Sequence, residues 1–454
     1  RSKRRNALKT YDAIVFGSGV AGGVAARRLR EADLDVALLE PGPLGGTCPL
    51  RGCEPKKTLF DVVESMERCR RHQGRGLSGA PDLNWSELVR FKNGFTDPVP
   101  QQVREDLEER GIDWFQAPGR FIDPETVEAN GERLGAERFV IATGAVPRPL
   151  AFPGAEHVTG SEAFFDLDAL PERMAVVGGG YIAFEFAHLA ARAGSRVDLL
   201  VRSGRCLKHF DPELVDLLVD RSGELGIRVR LHVPMDRIEQ EGASFRVLAG
   251  NGSADVEADL VLHGAGRVPA LEGLGLDAGN VETGDAGISL NEFLQSVSNP
   301  RVYAAGDVNA TGPQLTPVAL MEAEAVVRSI LEENAEPPDY SGIPSVLFTH
   351  PVLARTGLLE AECEELGIPY EKRFVDASGW ASVKRLGEET AAIKILVQPE
   401  DGRILGAHVL GPRAEEVVNV FALAIRKRIP RRDLGDVVWA YPSFVYDAIR
   451  HALL

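Results

Sequence analysis

Two thiols offer this chain its most direct chemistry. Cys48 and Cys53 stand in "GGTCPLRGCEPKK" (45–57), with four residues between them. Such a pair can be a metal clip, a structural staple or a redox couple. A zinc site needs about four nitrogen or sulfur ligands, and the chain has no second cysteine pair and no nearby Cys/His cluster. A staple across so short a loop stabilises a large chain little. A redox couple fits the flanks better. Pro55 lies near the start of the helical run "KKTLFDVVESMERCRR", which puts Cys53 close to a helix N-terminus, where the macrodipole favours a thiolate. Lys57 adds a positive charge. Such a cysteine can donate electron density to a flavin and leave Cys48 to attack a substrate. Cys69, Cys206 and Cys363 are isolated and read as ordinary thiols.

Elements that could bring electrons to the pair lie on both sides of it. "YDAIVFGSGVAGGVAARRLREADLDVALLE" (11–40) reads as strand, turn, helix, strand. Gly17, Gly19 and Gly22 form G-x-G-x-x-G after the apolar run Ala13–Phe16. Gly17 allows the tight turn, Gly19 lets a pyrophosphate touch backbone, and Gly22 lets helix and strand pack closely. The helix N-terminus then offers N–H groups to the phosphates. Glu40 ends the second strand, placed for ribose hydroxyls. The pattern recurs in "MAVVGGGYIAFEFAHLAARAGSRVDLLVRSG" (174–204), where Gly178, Gly180 and Ala183 make G-x-G-x-x-A. Its second strand ends in Val201-Arg202 with Lys208 close behind and no acid. Cations without a carboxylate suit a 2′-phosphate, so NADPH is expected here over NADH. Two unlike dinucleotide sites suggest FAD in the first and NADPH in the second. "FVIATGAVPRP" (139–149), with Thr143 and Gly144, and "RVYAAGDVNATG" (301–312), with Gly306 and Asp307, are further strands running into glycine turns. An aspartate after such a turn can reach a ribityl hydroxyl.

At 454 residues the chain is too long for one core. Its net charge of −16 argues against nucleic acid and anionic membrane surfaces. No run of 18 apolar residues is present. The basic start "RSKRRNALKT" lacks the apolar core of a signal peptide, and a cytoplasmic location is the expectation.

The first glycine motif, "GGTC…GC-P-K", "GGGYIAFEFA", "HGAGRVP" and "AAGD", in this order, resemble the flavoprotein disulfide reductases, the class I pyridine nucleotide-disulfide oxidoreductases. The resemblance covers about residues 10 to 450. It implies an α/β fold with two Rossmann-like dinucleotide-binding domains and an α+β C-terminal dimerisation domain. The expected divisions are a basic tail at 1–10, an FAD domain at 11–149 and 271–338, an NAD(P)H domain at 150–270, and a dimerisation domain at 339–454. By the same resemblance Cys48 is the interchange thiol and Cys53 the flavin-side thiol, with Gly46 and Thr47 beside the cofactor. Lys57 and Glu185 would pair near flavin and nicotinamide, Tyr181 would lie over the nicotinamide pocket, and Gly266 and Arg267 would face the NADPH side.

The departures bear on function. The family places Asn between the cysteines and an aliphatic residue after the second, whereas here Leu50 and Glu54 stand there. Near the C-terminus the family carries His-Pro with a Glu four residues after the proline. The stretch "WAYPSFVYDAIRHAL" puts Tyr441 at the His position and Tyr446 at the Glu position. Tyrosine, with an ordinary pKa of about 10, is a poor base but can donate a proton or a hydrogen bond. The alternative is that both tyrosines pack in a dimer interface. The expected activity is transfer of electrons from NADPH through FAD and the Cys48–Cys53 disulfide to a disulfide acceptor, small molecule or protein, by a homodimer. The alternatives are reduction of metal ions of the mercuric type, of quinones or of other electrophiles, or a non-catalytic redox sensor. No metal site is expected.

Overall fold

A computed structural model describes residues 8–284, 287–309, 311–332 and 335–454. The basic stretch at 1–7 lies outside the described residues. Contacts divide the chain into two units. The first holds Arg1–Lys57, Arg90–Arg148 and Arg267–Asp339; the second holds Thr58–Val89, Pro149–Gly266 and Tyr340–Leu454.

The first unit is built on a seven-stranded sheet. Strand Lys9–Phe16 pairs in parallel with Val36–Leu39 on one side and Glu132–Ile141 on the other. Asp113–Phe115 extends the parallel part at one edge, and Val302–Ala304 joins Glu132–Ile141. The strand starts two residues inside the stretch read as a tail, because Lys9 and Thr10 pair with Leu134 and Gly135 and the Lys9 ammonium meets Asp113. Val36–Leu39 is buried throughout, as expected of a strand covered on both faces. Helices Val20–Glu31 and Thr316–Leu331 contribute Ala21, Ala25, Ala26, Ala319 and Ala323 to one core cluster.

The second unit holds a five-stranded parallel sheet in the order Ile227–Arg230, Arg196–Leu200, Arg173–Val177, Leu260–His263, Val158–Thr159. Helix Tyr181–Ala193 follows the central strand. The same unit carries a five-stranded antiparallel sheet over Ser345–Leu410, whose core includes Val417, Val418 and Phe421 of helix Ala414–Arg426. The chain is thus α/β, with two Rossmann-like sheets and an α+β C-terminal region. Among the described residues no helix is long and apolar enough to cross a membrane.

Candidate functional site

In the first unit the glycine turn is shaped by close backbone approach. A Cβ on Gly22 would lie 1.9 Å from the Gly17 carbonyl oxygen, so helix Val20–Glu31 could not sit on its strand with a larger residue there. Gly46, at φ +73°, brings its own turn against Gly19, where a Cβ would fall 2.4 Å from the Gly19 Cα. Glu40 locks these loops together. Its Oε2 accepts from the Ser18 N–H at 2.9 Å and the Ser18 hydroxyl at 2.8 Å, and its Oε1 accepts from Gly42 N–H at 2.8 Å. The Ser18 Oγ accepts in turn from Gly45 N–H. Three of the roughly four acceptor sites of this carboxylate thus serve the protein itself.

The Gly306–Asp307 turn is held from beneath. Glu322, buried in helix Thr316–Leu331, accepts from Gly306 N–H at 2.7 Å and from Asn309 Nδ2 at 3.1 Å. The Asp307 carboxyl makes no side-chain hydrogen bond among the described residues, and burial pushes its pKa up against the opposing charge of Arg267. A half-buried acceptor with no side-chain hydrogen bond among the described residues suits a ligand hydroxyl. Thr143 donates to the Ala270 carbonyl at 2.8 Å, Ala270 N–H returns to Gly144, and Arg267 reaches the Ala145 carbonyl. The family's FAD fits this cradle. Gly144 leaves open space at its Cβ position.

Cys48 lies in the short helix Thr47–Arg51, and Cys53 is the first residue of helix Cys53–Arg71. Among the described residues no cysteine is in a disulfide. The Cys48 thiol is pushed well above the ordinary thiol range, first by its hydrogen bond to Cys53 and then by burial. Both effects favour the protonated form of Cys48. Thr316, the first residue of its helix, sets its hydroxyl 3.3 Å from the Cys53 sulfur. Lys57 follows Cys53 by one helical turn.

In the second unit, Gly178 at φ +130° closes the turn onto Gly264, where a Cβ would meet the Gly264 oxygen at 2.0 Å. A Cβ on Gly180 would meet nothing within 4 Å. Nothing in the protein demands glycine there, which is what a site for an approaching pyrophosphate would show. Ala183 is buried and Tyr181 exposed at the start of the helix. Glu185 is buried, and its carboxylate accepts from Phe348 N–H at 2.9 Å. One turn on, His188 Nδ1 accepts from His350 N–H at 3.1 Å. Phe348 and His350 lie just past strand Ser345–Leu347, so two helix side chains satisfy backbone N–H groups of the turn that follows it. Burial holds the His188 pKa well below the usual range, and the neutral ring gives its Nε2 proton to Ser222 at 3.0 Å. His350 itself sits between Glu64 and Glu388, at 3.4 and 3.2 Å. Burial pushes the Glu64 carboxyl up, but His350, Arg192 and Arg71 outweigh it and hold the group well below the carboxylate range.

The loop after Arg196–Leu200 is pinned by its apolar residues. Val201, Cys206 and Leu207 are buried, while Arg202, Arg205 and Lys208 are exposed. Leu207 N–H donates to the Gly179 carbonyl at 2.8 Å, tying the cationic loop to the glycine turn. Gly266, at φ +98°, ends the Pro149–Gly266 segment of the second unit.

Tyr441 and Tyr446 come together, ring centroids 5.0 Å apart and edge to face. Tyr441 is 74% exposed. His451 is exposed and packs by Trp380.

The structure therefore gathers Gly17, Gly19, Gly22, Glu40, Gly46, Thr47, Cys48, Cys53, Lys57, Thr143, Gly144, Arg267, Gly306 and Asp307 in one unit. Gly178, Gly180, Tyr181, Ala183, Glu185, Arg202, Lys208, Gly266, Tyr441 and Tyr446 belong to the other. Sequence reasoning missed Thr316, Glu322 and His188. "LTPVA", with proline at the second helical position, marks a helix start at Thr316. Glu322 is a single polar residue among apolar neighbours on its helix face, and His188 shares a buried face with Glu185 and Arg192; such positions signal a buried partner but not its identity.

Residues 11–323 match the family model for pyridine nucleotide-disulphide oxidoreductases, and residues 343–451 match its dimerisation domain. A mercuric reductase of Staphylococcus aureus is 35% identical over 94% of this chain and 79% of its own length. A glutathione reductase of Burkholderia cepacia is 31% identical over 97% of this chain and 98% of its own. The solved structure of the HOCl-induced flavoprotein disulfide reductase RclA from Escherichia coli aligns with TM-score 0.88 and 24% identity, covering 98% of this chain and 99% of that one. It supports the fold.

Proposed function

Since the chain belongs to the pyridine nucleotide-disulphide oxidoreductase family, we propose that it is an NADPH-dependent disulfide reductase working through Cys48 and Cys53. The family implies FAD and a pyridine nucleotide, and its dimerisation domain implies a homodimer. FAD, when bound, supplies the two-electron relay between nicotinamide and the thiol pair. The turns at Gly17, Gly46, Thr143 and Asp307 would hold it; the turn at Gly180 and the loop with Arg202 and Lys208 would hold NADPH.

The observation that carries the reading is the asymmetry of the two thiols. Cys48 lies within one short helix, where its hydrogen bond to Cys53 and burial push its thiol up, while Cys53 opens the next helix with the Thr316 hydroxyl 3.3 Å from its sulfur. The Cys48 sulfur attacks one sulfur of the acceptor disulfide and expels the other as a thiolate, which takes up the proton that Cys48 loses. Cys53 then attacks Cys48, releases the second acceptor thiolate and leaves the Cys48–Cys53 disulfide. Two thiolates leave and two protons are taken up. The Tyr441 hydroxyl of a second copy would supply one of them, a role in which a protonated phenol serves as acid but not as base.

A second reading, reduction of a soft metal ion, is favoured by the S. aureus mercuric reductase relative and by the paired phenols of Tyr441 and Tyr446. An NADPH-driven panel of disulfides, quinones and mercuric ion, run on wild type and Cys48→Ser, decides. Disulfide turnover lost in Cys48→Ser is expected, with any quinone turnover retained. Mercuric turnover that needs Cys48, without any disulfide turnover, would replace the first reading by the second.

A further inference from the structure

Strands Ile227–Arg230 and Arg196–Leu200 run parallel, so their C-terminal ends meet at one edge of the sheet. The pairing continues past both strands. Val201 N–H donates to the Arg230 carbonyl, Val233 N–H to the Val201 carbonyl, and His232 N–H to the Ser203 carbonyl. His232 is held at φ +58°, a left-handed conformation that a non-glycine residue adopts at a cost. Its carbonyl is gripped by Asn251 Nδ2 at 2.9 Å and Ser253 Oγ at 3.4 Å. This fixed backbone lays the ring on Gly204. A Cβ at Gly204 would fall 2.5 Å from His232 Cε1, 2.7 Å from Nε2 and 3.5 Å from Nδ1. The nitrogen-bearing edge thus faces the loop between Arg202 and Arg205, and the missing side chain at Gly204 gives the ring room in this position. Neither ring nitrogen makes a hydrogen bond or ion pair among the described residues. The charges around it are the exposed Arg202, Arg205 and Lys208 on the loop, and Arg228 and Arg230 on the strand. Both strand arginines are engaged with the buried Asp198, at 2.6 and 2.7 Å.

We propose that His232 is a specificity-determining residue of the nucleotide site, its imidazole donating to a 2′-phosphate held by Arg202 and Lys208. The proposal rests on the reading that this turn takes NADPH. Three exposed cations and an imidazole edge without a hydrogen bond among the described residues around a glycine, with Asp198 already paired, suit a phosphate dianion. The ring also props the loop that carries the cations.

The test measures binding of 2′,5′-ADP and 5′-AMP to the holoenzyme for wild type, His232→Phe and His232→Gln. Phenylalanine keeps the ring on Gly204 and removes its donors; glutamine restores an N–H. Wild type should prefer 2′,5′-ADP. His232→Phe should lose about 10-fold of that preference, the low end for a hydrogen bond to a charged group, with 5′-AMP binding unchanged. His232→Gln should recover part of it. If His232→Phe binds both ligands as wild type does, or loses both equally, His232 is a prop alone and the proposal falls. If wild type itself does not distinguish the two ligands, the NADPH reading fails instead.

Discussion

The two glycine turns perform the same approach with the small residue moved. In the first, the closest contact is between helix and turn, and Gly22 must be glycine because its Cβ would strike the Gly17 carbonyl. In the second, the equivalent helix position carries Ala183, and the room comes from the facing chain, where a Cβ on Gly264 would meet the Ala183 Cβ at 2.7 Å. The motif's last position tolerates alanine only because another residue gives way. The ends of the second strands differ more. Glu40 folds back onto its own turn, whereas the Arg202–Lys208 loop is anchored by buried neighbours and turns its cations outward. One end is a lock and the other a loop that turns its cations to solvent.

The largest effect should come from Gly22→Ala. A methyl 1.9 Å from a carbonyl oxygen cannot be absorbed by a rotamer change, so the helix must shift. Overpacking of this kind costs about 3 kcal/mol or more. We expect protein that purifies without FAD and melts well below wild type. Gly180→Ala is the counterpart. Its methyl meets no protein atom within 4 Å, so melting should be unchanged while NADPH binding weakens at least about 10-fold through lost backbone contact with the pyrophosphate. A lower melting temperature in Gly180→Ala would mean that the open space is not a ligand cradle.

Arg202→Glu comes next. It exchanges a cation for an acid at the loop end and should narrow the preference for NADPH over NADH by about 1–3 kcal/mol. Steady-state kcat/KM with each cofactor gives the number. Equal use of both cofactors by wild type would show that Arg202 and Lys208 do not read a 2′-phosphate.

Much of this arrangement is legible in the residues, for a definite reason. Strand, turn and helix around Gly17 and Gly178 lie close together in the chain, so spacing and apolar runs reveal them. Cys53 is at a helix start because Pro55 and the run after it say so locally. What was not legible is long-range. Thr316 stands 263 residues from Cys53, yet its hydroxyl touches that sulfur. The His232 ring finds Gly204 only because two parallel strands end side by side. Glu40 was legible in place but not in its contacts. A carboxylate after a second strand reads as a ribose ligand, and only the fold shows the turn taking three of its acceptor sites.

Glu40→Gln tests that last distinction and should be the smallest effect. The amide keeps the size of the side chain but offers one carbonyl oxygen where the carboxylate offers two. If that oxygen stays with Ser18, the amide nitrogen faces Gly42 N–H, donor against donor. If it turns to Gly42, Ser18 N–H is left instead. Either way one backbone donor loses its partner in a part-buried loop. Such a loss costs about 1 kcal/mol at this exposure, the low end for an unsatisfied buried group. The lock is made between protein groups alone, so FAD-free Glu40→Gln should melt below FAD-free wild type. FAD affinity should fall only about fivefold, in step with that loss. Glu40→Ala, which removes all three contacts, should do more of both. If FAD affinity drops while the FAD-free protein melts like wild type, the carboxylate acts mainly on the ribose, and the two strand ends are alike in facing their ligands after all.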